Sequence, residues 1–86
     1  MDPFDIAKAL YRDAKRLIDL TADLAAVDDI VRWTREDLDE DLLDLKIAVL
    51  EGDLGQLTEL YDDVLRMMQN LVNAVRESDY PGGAAP

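Results

Sequence analysis

From Phe4 to Glu51 the chain contains neither glycine nor proline. Through that stretch apolar positions recur at Ile6, Leu10, Ala14, Leu17, Leu20 or Thr21, Leu24, Val27, Val31, Thr34, Leu38, Leu42, Leu45 and Val49. Every step is three or four residues, the period at which side chains stack on one face of an α-helix. Asp2 is placed to cap the start, with Pro3 in the first turn, where its missing N–H costs nothing.

The first breaker is Gly52, which can take the left-handed conformation that closes a helix. Asp53 follows as a cap for the next helix, and Gln56 three residues later gives the spacing of a capping box. Gly52-Asp53 therefore reads as a tight turn between antiparallel helices. Beyond it, Leu54, Leu57, Tyr61, Val64, Met68, Leu71 and Val75 form one seam, and Leu60, Val64, Met67 and Leu71 a second. A face that wide needs more than one neighbouring helix. Residues 1–79 read as one helical domain, and residues 80–86, with Pro81, Gly82, Gly83 and Pro86, as a flexible tail.

The fold class is all-α, an antiparallel helical hairpin or a three-helix bundle. The open point is whether the first 48 residues break. Unbroken, they form a helix of about 70 Å, half of whose seam stays uncovered unless the chain dimerises through it. Broken near Val27-Asp28-Asp29, they give three helices of nearly equal length, about 3–27, 28–51 and 53–78, which suit a three-helix bundle. A second candidate break lies at Trp33-Thr34, where Thr34 followed by Asp37 resembles a cap.

Composition supports helix: 14 Leu and 10 Ala among 86 residues, against four Ile and six Val. It also narrows the chemistry. Without cysteine there is no disulfide, thiol nucleophile or zinc–thiolate site, and without histidine no imidazole base or His–metal ligation. Any catalysis has to run on carboxylates, with a hard divalent cation as the natural helper. The longest apolar runs, Leu24–Val27 and Ile47–Leu50, are far short of the roughly 20 residues a membrane span needs. No basic region opens the chain, so a cytoplasmic protein is expected.

Charge changes the picture most. Twenty acidic residues against nine basic ones give a net −11, and 15 of the acids are Asp. Such a surface repels nucleic-acid phosphates and anionic membranes, and it suits a basic partner, a cation or a high-salt cytoplasm. The balance is uneven: residues 1–26 carry net −1, residues 27–52 net −6 and residues 53–86 net −4. The cations Lys8, Arg12, Lys15 and Arg16 gather on the first helix, from which they can pair with the acidic middle one.

The acidic focus is Glu36, Asp37, Asp39, Glu40, Asp41 and Asp44, six acids in nine positions. They fan across the helix side opposite Leu38, Leu42, Leu45 and Val49. The run serves equally as a solvated face, at the cost of like charges one turn apart at 36/40, 37/41 and 40/44, or, with Asp62, as a face for a basic partner. A calcium loop fits poorly. Asp37, Asp39 and Asp41 match its first three ligands, but Leu42 stands where glycine is needed and Ala48 where the bidentate glutamate belongs. A divalent-metal site between two helices is the other possibility, since Glu40 with Asp44 and Glu59 with Asp63 each lie one turn apart on either side of the Gly52 turn.

On these residues the stretch 33–75 resembles the core hairpin of the MazG-like all-α nucleoside triphosphate pyrophosphohydrolases. Glu40-Asp41-Leu42-Leu43-Asp44 matches that family's E-E-x-x-E helix, Gly52-Asp53 its turn, Glu59 to Leu65 its E-x-x-D helix, and Asn73 a downstream asparagine. The resemblance implies Mg²⁺-dependent release of pyrophosphate from a nucleotide, with Glu40, Asp44, Glu59 and Asp63 holding the metal. The sequence departs from the pattern: an ungapped alignment puts Leu60 at the second-helix glutamate, and two glutamates of the first motif are aspartates.

The leading expectation is a non-catalytic acidic helical binding protein with a carboxylate face for a basic partner, of the kind small phage-encoded anti-defence inhibitors use to imitate nucleic-acid phosphates. It needs no cofactor. The alternatives are the Mg²⁺-dependent pyrophosphohydrolase and a structural helical homodimer. Trp33 is expected at the core edge, and Met67-Met68 as core filler.

Overall fold

In a computed structural model, which describes residues 2–78, the Asp2 carboxylate accepts the Phe4 N–H at 2.9 Å, and helix α1 runs Pro3–Leu20. A single turn, α2, follows at Ala22–Ala25, then α3 at Asp29–Glu51 and α4 at Leu54–Glu77. The tail 80–86 lies outside the described residues.

The chain turns back at Val27-Asp28. Asp28 is extended and its carboxylate accepts the Val31 N–H at 3.1 Å, so it caps α3. That hydrogen bond, with a second from the Ser78 side chain, holds the Asp28 carboxyl below the usual aspartate range. The cap's contribution is therefore present at neutral pH and lost as the pH falls through the depressed value. The unbroken 48-residue helix does not form. The Trp33-Thr34 break does not form either: Thr34 sits inside α3 with its hydroxyl on the Ile30 carbonyl at 2.7 Å.

The first helix ends earlier than the apolar spacing predicts, and the cause is Thr21. Its hydroxyl donates to the Leu17 and Ile18 carbonyls at 2.9 and 3.1 Å, and Arg35 Nε donates to the Ile18 carbonyl at 3.0 Å. Both carbonyls still accept the Thr21 N–H, at 3.2 and 3.3 Å, but side-chain bonds that share them bend a helix, and α1 breaks there. Of the two seam candidates at this turn, Thr21 is buried and Leu20 exposed.

Gly52 takes φ +70, with its N–H on the Val49 carbonyl and the Asp53 N–H on the Ala48 carbonyl. This is the paired bonding of a Schellman end. Asp53 then caps α4 by accepting the Gln56 N–H at 3.1 Å. A Cβ on Gly52 meets nothing within 4 Å, so substitution there costs only backbone strain. Gly52→Ala is expected to lose about 1 kcal/mol and roughly 4–8 °C of melting temperature, measured by thermal circular dichroism, with the fold retained.

The three long helices pack up-down-up. Lys15 meets Asp39 and Arg35 meets Ile18, so α1 and α3 are antiparallel, while α4 returns beside both. Val31, Leu38, Leu42 and Leu45 of α3 are fully buried against Leu10 and Ala14 of α1 and Leu57, Leu60, Val64 and Leu71 of α4. The small Ala7, Ala14, Ala25 and Ala48 lie in the core and let the helices approach. Residues of both α4 seams join the core, although Leu54 at the start of the first is 52% exposed, and Met67 and Met68 pack against the core edge as filler.

Candidate functional site

Because α3 is covered on two sides, by α1 and by α4, its remaining side is open to solvent. Side chains advance about 100° per residue along it, so the six acids of 36–44 are dealt onto three sectors. Asp39 falls on the α1 flank, where its carboxylate meets Lys15 Nζ at 2.7 Å. That hydrogen bond raises the Lys15 pKa. Both partners are substantially exposed, so the pair contributes little beyond fixing the register of α1 on α3. Asp41 falls on the α4 flank and is half-buried. Glu36 and Glu40 point outward, with Asp37 and Asp44 beside them, all exposed.

The other ion pairs among the described residues are Arg32–Asp29 at 2.6 Å and Arg66–Asp63 at 3.6 Å, each local to one helix. Glu36, Asp37, Glu40, Asp41 and Asp44 have no cation partner among the described residues. The expected neutralisation of the middle helix by the first is therefore limited to Lys15–Asp39.

Asp41 carries a measurable consequence. Burial pushes its pKa up, and the charges of Asp63, Asp44, Asp37 and Glu40 add to the shift. A carboxyl raised in the folded state destabilises the fold while ionised, and acidification through its folded pKa relieves the penalty. Asp41→Asn is therefore expected to stabilise the protein at neutral pH. Asp41 has like charges one turn away on both sides, at Asp37 and Asp44, and removing each such pair contributes about 0.2–0.5 kcal/mol, roughly 1–4 °C in melting temperature. The gain should shrink as the pH falls through the carboxylate range; a gain that is constant with pH would assign it to helix propensity instead.

The metal site expected from Glu40, Asp44, Glu59 and Asp63 is not assembled: no group of three or more carboxylates among the described residues is placed to hold a metal ion. The reason is rotational. Glu40 faces solvent, and the α3 carboxylate whose charge meets Asp63 is its neighbour Asp41. Asp44 borders the α3–α4 groove with Ala48 and Gln56, and Glu59 is exposed. Residues 37–48 are helical throughout, which leaves no calcium loop. Asp62 is also separated from the α3 acids. It lines a groove between α1 and α4 with Pro3, Ile6 and Tyr61, on another side of the bundle.

Two features escaped the spacing argument. Trp33 is not at the core edge but 54% exposed on the outward side of α3. Leu43, Ile47 and Leu50 share that outward side and are well exposed too. Their own steps of four and three were the available signal, masked by the stronger seam at Leu38, Leu42 and Leu45.

Fold and face together define the class: a small three-helix bundle whose middle helix presents an acidic, partly apolar outer side. No helix among the described residues is long and apolar enough to cross a membrane. No protein-family model, curated protein or solved structure matches the chain.

Proposed function

We propose that this protein is a binding protein, not a catalyst, and that the outward side of α3 presents its carboxylates to a basic protein surface. The observation supporting this is the uncompensated charge: five of the six acids at 36–44 lack a cation partner among the described residues, although four cations lie on α1. Clustered like charge on a helix costs stability. A partner's lysines and arginines relieve that cost and are steered to the face from a distance. In its sharper form the proposal is that these carboxylates take positions a nucleic-acid-binding protein keeps for phosphates.

The test is binding of a Lys/Arg-rich peptide across a salt series, with wild type compared against two double reversals of equal net charge. One, Glu36→Lys with Glu40→Lys, alters the face. The other, Asp13→Lys with Asp23→Lys, leaves it intact. Binding that weakens steeply with salt and is lost selectively in the first variant supports the face. Equal loss in both means that only total charge matters, and the proposal fails.

A further inference from the structure

The outward side of α3 is more than an acidic surface. Trp33, Glu36, Glu40, Leu43, Ile47 and Leu50 succeed one another at steps of three, four, three, four and three. That is the a/d spacing of a helix that receives a second helix along its length. Its four apolar members are between 44% and 76% exposed; among the described residues Leu43 and Leu50 border grooves against α1 and Ile47 one against α4, and none is buried there. The row flanking it on the α4 side is Asp37, Asp44 and Glu51, acidic at each heptad. We infer that this seam docks a basic amphipathic helix of a partner protein, with apolar side chains over Leu43, Ile47 and Leu50 and lysines or arginines toward Glu36, Glu40 and the acidic row. The inference rests on the proposed basic partner and specifies the element by which that partner is held.

Charge complementarity selects this occupant over a second copy of the chain. A parallel copy would set Glu36 on Glu36 and Glu40 on Glu40. An antiparallel copy would set Glu36 against Ile47 and Glu40 against Leu43, and one acidic row against the other. Each arrangement desolvates carboxylates without a cation, which is strongly unfavourable. Arg32 and Lys46, on the opposite flank, would meet Asp37 and Glu51 of a parallel copy, but they leave the seam glutamates unpaired. A partner helix with cations at the matching positions satisfies both the carboxylates and the apolar ridge. A nucleic-acid-like electrostatic contact alone leaves the ridge unexplained.

The experiment uses the full chain and two synthetic peptides free of tryptophan. They have one composition of Leu, Ala, Lys and Arg, arranged in one as an amphipathic heptad and in the other scrambled. Binding is read from the fluorescence of Trp33, the sole tryptophan, which sits in the seam. The heptad peptide is expected to bind at least about tenfold tighter than its isomer. Leu43→Ser with Ile47→Ser should erase that preference while leaving the circular dichroism spectrum intact, since both positions are exposed. Equal binding of the two peptides overturns the helix-docking inference and leaves the electrostatic reading standing. No binding of either at low salt overturns both. A concentration-dependent dimer in sedimentation that Leu43→Ser with Ile47→Ser abolishes would show that a second copy occupies the seam, and also overturns the inference.

Discussion

Leu42→Ala is expected to cost about 2–5 kcal/mol, whereas Leu43→Ala one position along should stay within about 0.5 kcal/mol. Leu42 is fully buried between helices and Leu43 is 59% exposed. At Leu42, truncation removes the transfer energy of the side chain and leaves a cavity that flanking helices close only in part. A chain of this size has roughly 4–13 kcal/mol of total stability, so the Leu42 variant should be largely unfolded in mild denaturant. Guanidinium titration checks this: the midpoint falls for Leu42→Ala with the slope preserved, and holds for Leu43→Ala. Equal losses at the two sites would mean that α3 is rotated otherwise, or that its outer side is already covered.

The second large effect is on binding. Glu36→Lys with Glu40→Lys moves the net charge from −11 toward neutrality without touching a buried side chain. Melting temperature should therefore hold or rise slightly. Affinity for a basic peptide should fall about tenfold or more at low salt, chiefly through slower association. The contrast should fade as the screening length shrinks from about 30 Å at 0.01 M salt to about 8 Å at 0.15 M. Asp39 is the wrong position for this test. Its carboxylate is held by Lys15, so Asp39→Lys would set two ammonium groups together and disturb the α1–α3 register.

The elements were legible because they are local. Asp2, Asp28 and Asp53 each cap a helix through a backbone N–H within three residues, and Gly52 ends one through its own backbone freedom. Such signals do not depend on the rest of the fold. The α1 end was less legible because the local Thr21 hydroxyl bonds are joined there by a long-range one, from Arg35 to the Ile18 carbonyl seventeen residues away. The candidate site was legible in composition but not in arrangement. Six acids in nine positions announce a charged face. Whether Asp41 or Glu40 looks toward α4 depends on a rotation that two other helices impose.

From its sequence alone this chain is an all-α protein that folds back at Gly52, carries its charge mainly on the middle segment, and offers candidate breaks near Asp28 and Trp33 without deciding whether the first 48 residues divide. These follow from apolar spacing, caps and counting, which act over a few residues. Tertiary packing decided the rest: which break is used, that Lys15 neutralises Asp39 and none of its neighbours, that the four expected metal ligands do not converge, and that Leu43, Ile47 and Leu50 stay outside. A helix has one rotation about its axis. Once Leu38, Leu42 and Leu45 turn inward toward α1 and α4, every other side chain on α3 is assigned its exposure.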